Sequence, residues 1–249
     1  MRTIGAGAPA VVLVHCWGGT ADEWSEVIPA IAAHHQVIAL DLPGHGRSGK
    51  ARAAWTVPAY AADVRAVLDA LGVERAILVG HSMAGAIVVQ AAVEQPSRVV
   101  GVIPVDTLQD VGAKGEDPRD QELLGALRAR FPETVDAFVR MIMPKTADPK
   151  VIARVVAFEQ ANDPAIAVAV LETNWKFPVA APFAKLTVPV IAINADLFPT
   201  NEAGNRALQP RYQLRLIKGV GHWPMLEAPA AFAAELSRAI AELSAPPAR

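Results

Sequence analysis

Short apolar runs alternate with longer amphipathic segments along the chain. The runs are rich in β-branched residues and apolar at consecutive positions, as in Val11-Val12-Leu13-Val14. Strands that are buried on both faces of a parallel sheet have this pattern. The predicted strands cover residues 11–15, 37–41, 75–79, 99–105, 188–194 and 212–217. Their alternation with helical segments predicts an α/β fold with a mostly parallel sheet of about six strands.

Helical periodicity fills the intervals between these strands. Apolar residues recur there every three or four positions, which is typical of helices that pack on a sheet. The clearest helices cover residues 57–71, 83–94 and 229–243, and four more follow one another at 121–131, 133–141, 149–160 and 164–174. No strand pattern separates those four. We therefore predict an α/β core formed by residues 1–106 and 187–249, with an inserted helical cap, or lid, at residues 107–186.

Composition and charge narrow the class of protein. The 249 residues suffice for one domain with an insertion, and the formal net charge of -2 provides no basic field for nucleic acid or an anionic membrane surface. The apolar runs are too short to span a bilayer. A single cysteine, Cys16, cannot form an intrachain disulfide, which is compatible with a reducing compartment. We expect a soluble, cytoplasmic protein without nucleic-acid or membrane partners.

A serine lies where a predicted strand passes into a predicted helix. The segment Gly80-His81-Ser82-Met83-Ala84-Gly85 places small residues two positions before and after Ser82. A sharp strand-to-helix turn needs such small neighbours, and it exposes the serine hydroxyl at the carboxyl edge of the sheet. The alternative is that Ser82 simply caps the following helix.

Four segments in this order resemble those of the α/β-hydrolase superfamily. They are residues 13–19 (LVHCWGG), 41–48 (DLPGHGRS), 80–85 (GHSMAG) and 219–224 (GVGHWP). The resemblance implies an α/β-hydrolase fold and a catalytic triad in the chain order serine, acid, histidine. It assigns the nucleophile to Ser82 and the base to His222.

The resemblance also implies the acid and the oxyanion hole. Asp196 follows the predicted strand 188–194 and is our choice for the acid, while Asp106, at the end of strand 99–105, is the alternative. The backbone N–H groups of Trp17 and Met83 are the expected donors to the oxyanion. This chemistry requires no cofactor and no metal.

The expected activity is hydrolysis of a carboxylic ester through an acyl-serine intermediate. The cap composition suggests a small, fairly apolar substrate. The expected pocket residues are Trp17, His81, Phe138, Met141, Trp175, Phe198 and Trp223. The same triad serves lactones, thioesters, C–C bonds or cyanohydrins in other proteins. A non-catalytic small-molecule receptor on the same fold is an alternative of a different class.

Three other patterns point elsewhere and are weaker. Residues 44–49 (GHGRSG) match a dinucleotide-binding pattern, but the helix expected to start inside the glycines begins only near residue 57. The adjacent His34 and His35 point apart on a helix and have no further ligand nearby in sequence. Cys16 does not lie in a strand-to-helix turn like that of Ser82, and it is interpreted as a buried thiol rather than a nucleophile.

Few residues precede the first predicted strand at residues 11–15. Members of the resembled family usually begin with two antiparallel strands, so we expect this pair to be missing or shortened. Strand 37–41 would then form an edge of the sheet. Unpaired edges are commonly covered or paired with another subunit, which makes a dimer through this edge an expectation.

Overall fold

A seven-stranded sheet forms the centre of the protein. The computed structural model describes residues 1–113 and 118–245. The strands are β1 (Arg2–Ile4), β2 (Ala10–Val14), β3 (Val37–Leu40), β4 (Ala76–His81), β5 (Val99–Val105), β6 (Val190–Ala195) and β7 (Tyr212–Ile217). Their spatial order is β1-β3-β2-β4-β5-β6-β7. The α/β-hydrolase fold predicted from the sequence is confirmed.

Helices lie between the strands along the chain. Before β5 these are a 3-10 helix (Ala21–Trp24), α1 (Ile28–Ala32), α2 (Val57–Ala70) and α3 (Ala84–Glu94). After β5 they are α4 (Pro118–Ala129), α5 (Phe131–Met141), α6 (Pro149–Gln160), α7 (Pro164–Trp175), α8 (Ala180–Ala184), α9 (Glu202–Leu208), α10 (Pro224–Glu227) and α11 (Pro229–Ser244). The short helices α1, α8, α9 and α10 were not predicted, because fewer than three turns carry too little periodicity.

The start of the chain differs from the expectation. β1 pairs antiparallel with β3, with Thr3 opposite Ile38, while β2 pairs with β3 in parallel. One short antiparallel strand is therefore present, and β3 is not an edge. A three-residue strand has too few positions for a recognisable pattern, so its pairing with β3 identifies it. The premise of a dimer through strand 37–41 does not hold.

A helical stretch lies between β5 and β6, and the described residues of this stretch contain no strand. α4 packs on α5 and α7, and α5 packs on α6, whereas α8 contacts α3 and α9. This arrangement is compatible with the predicted cap at residues 107–186, whose boundaries stay a prediction. Residues 114–117 of the predicted cap and 246–249 of the predicted core lie outside the described residues.

The parallel strands bring the candidate site residues Ser82 and Asp106 to one edge of the sheet. Every residue of β2, β3, β4 and β6 is buried, because helices cover both faces. The carboxyl ends of parallel strands meet at the same edge, where ligand sites of such sheets lie. β4 leads there into Ser82 and β5 into Asp106. Within residues 1–113 and 118–245, no helix is long and apolar enough to cross a membrane.

Candidate active site

Ser82 occupies a strained turn between β4 and α3. Its φ of 54° lies in the left-handed region that non-glycine residues rarely adopt. The turn is tight, since a Cβ added at Gly80 would come within 2.4 Å of the Ala84 carbonyl oxygen. The Ser82 N–H donates to the Val105 carbonyl at 3.0 Å. These contacts hold the Ser82 hydroxyl at the edge of the sheet, as a nucleophile elbow requires.

The His222 ring contacts a carboxylate through Nδ1. Asp106 Oδ2 lies 2.5 Å from this nitrogen, and the second oxygen of Asp106 accepts the Ala195 N–H at 2.9 Å. Asp106 is 2% exposed and follows β5 directly. Since a carboxylate accepts, Nδ1 of His222 carries the proton, and Nε2 of the neutral ring keeps a lone pair. This is the tautomer that a general base needs.

Asp196 lies elsewhere, and here the structure departs from our choice of acid. Its side chain is exposed, and Oδ1 accepts the Gly219 N–H at 2.8 Å. Asp196 follows β6, which is separated from the serine strand β4 by β5. The residue that contacts His222 is thus the alternative acid, Asp106, which lies on the strand adjacent to β4. Asp196 instead stabilises the turn at Gly219, where the loop that carries His222 begins. This loop, residues 219–224, is called the histidine loop.

The histidine loop is fixed through its backbone. The His222 N–H donates to the Ile142 carbonyl at 3.1 Å, and Nε2 of His81 lies 2.7 Å from the His222 carbonyl oxygen. The Glu227 carboxylate accepts the N–H groups of Gly221 and Trp223, at 2.8 and 3.0 Å. Four hydrogen bonds on three consecutive residues restrict the orientation of the imidazole.

Two backbone N–H groups are free to bind an oxyanion. Those of Trp17 and Met83 have no acceptor within residues 1–113 and 118–245. Residues of α7 hold both segments in place. The indole Nε1–H of Trp17 donates to the Ala167 carbonyl at 2.8 Å, and the Asn174 amide donates to the Met83 carbonyl at 3.0 Å. The pair of donors therefore suits the oxyanion hole implied by the family resemblance.

His15 is a structural brace beneath the loop that carries Trp17. Its Nε2 accepts the Leu42 N–H at 2.9 Å, so Nδ1 carries the proton and donates to the Cys16 carbonyl at 2.7 Å. Burial, together with the nearby His45, lowers the pKa of His15 from 6.5 to about 3. Burial also lowers the pKa of His45, to about 4. Both rings are therefore neutral in the folded protein at neutral pH.

This neutrality predicts sensitivity to acid. Below pH 6.5 the unfolded chain protonates His15 and the folded chain does not, so the free energy of unfolding falls as the pH drops from 6.5 towards 3. The loss is about 1.4 kcal/mol per pH unit for each such histidine. Urea unfolding at pH 7, 6 and 5 measures it. His15→Asn should flatten the decline and the exposed control His34→Asn should not, whereas equal slopes in all three proteins would contradict the prediction.

A buried polar cluster lies under residues 15–19, the loop that carries Trp17 and that is named the oxyanion loop after the role implied by the family resemblance. Glu23 accepts the Cys16 N–H and Sγ–H, each at 3.2 Å, and its Oε1 lies 3.3 Å from Nδ1 of His81. Burial and then Glu23 raise the pKa of the Cys16 thiol well above its usual value, so it is a thiol rather than a nucleophilic thiolate. Within the described residues, these three side chains form the one group with metal-ligand spacing, but their polar atoms already bond one another.

Ser82 and His222 line one cavity of about 380 Å³. Its wall includes four of the expected pocket residues: Trp17, Phe138, Trp175 and Phe198. The other three lie outside it. His81 and Trp223 are completely buried, His81 between Glu23 and the His222 backbone, while Met141 is 66% exposed at the end of α5. The sequence around these seven residues does not show which of them line the cavity, which lie in the core and which are exposed.

Sequence reasoning missed three carboxylates near the site. In the sequence, Glu23 precedes Trp24 and resembles an acid at the start of a helix, while Glu227 and Glu159, which lies in α6, match none of the motifs above. The sequence does carry a signal for Glu159, because it occupies the apolar face of α6 four residues after the buried Val155. An acid at such a position is seldom a surface group.

The comparisons with known proteins agree with this architecture. The model of the alpha/beta hydrolase fold family matches residues 9–182. The chain is 30% identical over 253 residues to a pimeloyl-(acyl-carrier protein) methyl ester esterase of Serratia marcescens, with 96% of this chain and 97% of that protein covered. The protein therefore belongs to the α/β-hydrolase family.

Two further relatives show how far the likeness extends. A dihydrolipoyllysine-residue acetyltransferase component of the acetoin cleaving system from Cupriavidus necator is 42% identical over 98 residues, which cover 39% of this chain and 26% of that protein. The chain thus spans less than half the length of several curated relatives. A thermophilic esterase from Thermogutta terrifontis has the same fold, with a TM-score of 0.85, 20% identity, and coverage of 98% and 93% of the two chains.

Proposed function

We propose that this protein is a serine hydrolase that cleaves a small carboxylic ester through an acyl-Ser82 intermediate. The observation that carries the proposal is the 2.5 Å contact between Asp106 and the ring of His222, in the cavity that also exposes Ser82. Full-length similarity to a methyl ester esterase supports ester chemistry. In this proposal Ser82 is the nucleophile, His222 the base and Asp106 the acid.

Acylation begins with a proton transfer. Nε2 of His222 accepts the Ser82 hydroxyl proton as Oγ attacks the ester carbonyl carbon, and Asp106 stabilises the imidazolium that forms. The carbonyl oxygen becomes an oxyanion that accepts hydrogen bonds from the Trp17 and Met83 N–H groups. Each such donor lowers the barrier by about 3 kcal/mol.

Collapse of this intermediate releases the alcohol. The C–O bond to the alcohol breaks, and the departing oxygen takes the proton from Nε2 of His222. A water molecule, deprotonated by the same nitrogen, then attacks the acyl-serine carbonyl. The bond from the acyl carbon to Ser82 Oγ breaks, Oγ takes the proton back from Nε2 of His222, and the carboxylic acid leaves. The cycle returns Ser82 and His222 to their starting protonation states and requires no cofactor.

The cavity favours a compact substrate. Its volume of about 380 Å³ is at the lower end of the range for small-molecule sites, and four aromatic side chains are part of its wall. A short acyl group with a small alcohol fits this space. No observation on the site favours lactone, thioester, C–C or cyanohydrin chemistry over ester hydrolysis.

Two measurements on the purified protein test the proposal. A fluorophosphonate probe should label one residue, identified as Ser82 by peptide mass spectrometry, because only an activated serine reacts. p-Nitrophenyl acetate and butyrate should be hydrolysed with kcat/KM above about 10³ M⁻¹s⁻¹, which is modest for an enzyme. A protein that neither takes the label nor turns over either ester would instead be a binding protein on the hydrolase fold.

A further inference from the structure

Glu159 is a buried carboxyl group with an unpaired oxygen in the wall of the cavity. The residue is 2% exposed, and its Oε2 has no hydrogen-bond partner within the described residues. It lines the same cavity as Ser82 and His222. Folded proteins pair nearly all buried polar atoms, so an unpaired oxygen in a ligand cavity is a position that a ligand can complete.

The end of α6 fixes the position of this carboxyl group. Glu159 lies one residue before the end of the helix, and its side chain packs on the backbone of the oxyanion loop. A Cβ added at Gly18 would lie 3.0 Å from Glu159 Cγ. The Asn162 amide joins the two segments by donating to the Gly18 carbonyl at 2.7 Å and to the Glu159 carbonyl at 3.0 Å. Glu159 is therefore adjacent to the loop that presents the Trp17 N–H.

The surroundings of this carboxyl group disfavour its charged form. Burial, followed by the nearby Glu23, raises the pKa of Glu159 well above its usual value. Within the described residues no lysine or arginine pairs with it, and the Cys16 thiol lines the same cavity. A neutral carboxylic acid offers one O–H donor and one carbonyl acceptor.

We infer that the Glu159 carboxyl group hydrogen-bonds an uncharged polar group of the substrate, such as a hydroxyl or carbonyl close to the ester. The inference rests on the proposed function and narrows its substrate class to esters of hydroxy or oxo acids. An anionic substrate would place its charge in a cavity that no lysine or arginine among the described residues lines. A cationic substrate would require Glu159 to ionise in a site that disfavours its charge.

Matched methyl esters test this inference by their relative kcat/KM. The set is methyl butyrate, methyl 2-hydroxybutyrate and methyl 3-hydroxybutyrate, with methyl 3-aminobutyrate and monomethyl succinate as the charged members. Hydrolysis of each ester is measured by the protons that it releases. The wild-type protein should prefer at least one hydroxy ester over methyl butyrate by roughly 3- to 10-fold, which corresponds to one net hydrogen bond. Both charged esters should be poorer substrates than methyl butyrate.

Variants of Glu159 then separate recognition from folding. Glu159→Leu should remove the preference for the hydroxy ester, because the leucine side chain offers neither a donor nor an acceptor. Glu159→Gln keeps a donor and an acceptor and should retain the preference. Glu133→Leu, which removes an exposed carboxyl group from the same cap, is the matched control and should leave all ratios unchanged.

The outcomes are distinct. A wild-type protein that prefers methyl butyrate, or an unchanged ratio in Glu159→Leu, would overturn the inference while leaving the proposed function intact. A preference for the ammonium ester that Glu159→Gln abolishes would show an ionised counter-ion and would also overturn it. If Glu159→Leu does not fold, the wild-type and Glu159→Gln ratios still decide. Absence of both probe labelling and ester turnover removes the proposed function and this inference together.

Discussion

Replacement of Ser82 by alanine is expected to abolish ester turnover and leave the fold unchanged. Removal of the nucleophile from a serine triad lowers kcat on the order of 10⁶-fold. With activated esters, the observable rate should therefore fall to that of the buffer. The backbone contact of Ser82 with Val105 does not involve the hydroxyl, so it persists in the variant.

Stability of this variant follows from the turn geometry. Serine and alanine meet the same steric resistance at a φ of 54°, because both have a Cβ. We expect the free energy of unfolding to change by less than about 1 kcal/mol. Initial rates with p-nitrophenyl butyrate and a urea unfolding curve measure the two quantities. Ser97→Ala, an exposed serine beyond α3, is the control and should behave as wild type. Wild-type turnover by Ser82→Ala would remove Ser82 as the nucleophile.

Asp106→Asn is expected to lower kcat by about 10³- to 10⁴-fold, whereas Asp196→Asn changes it less than about threefold. The asparagine amide donates where the carboxylate accepts, so it favours the His222 tautomer with its proton on Nε2, which cannot take the serine proton. The negative charge that stabilises the imidazolium is lost as well. At position 196 the amide oxygen still accepts the Gly219 N–H, so the turn is retained.

The two variants form a matched pair, because each exchanges one oxygen for a nitrogen after a strand of the same sheet. Initial rates and the rate of fluorophosphonate labelling should fall together in Asp106→Asn. Near-ultraviolet circular dichroism checks that the packing is kept, since Asp106 is buried and also binds the Ala195 N–H. A large loss in Asp196→Asn with little change in Asp106→Asn would return the role of acid to Asp196.

Much of the fold was predictable because its causes are local. Strand β5 and the helices α2, α3, α6, α7 and α11 match their predicted ranges to within one residue, because each follows a pattern within one segment. The elbow at Ser82 is local too, because the steric demand that Gly80 meets comes from Ala84, four residues away. Steric contacts between residues that are close in sequence can be predicted from a short window of sequence.

Local sequence could not show which of the two acids contacts His222. Asp106 and Asp196 each follow an apolar strand, and the family resemblance allowed either position. Which carboxylate reaches His222 depends on the order β4-β5-β6 in the sheet and on the course of the histidine loop past Ile142. Contacts between residues separated by 116 positions decided it. No window of sequence contains that information.

By itself, the sequence determined the class of fold, the serine elbow and the presenting loop of His222, because each depends on spacing along the chain. The tertiary structure alone decided that β1 covers β3, that Asp106 contacts His222, and that Glu159 of α6 packs on the loop that carries Trp17. Those arrangements result from pairing and burial between segments that are distant in sequence. Each polar side chain there bonds to the group that the fold brings closest to it.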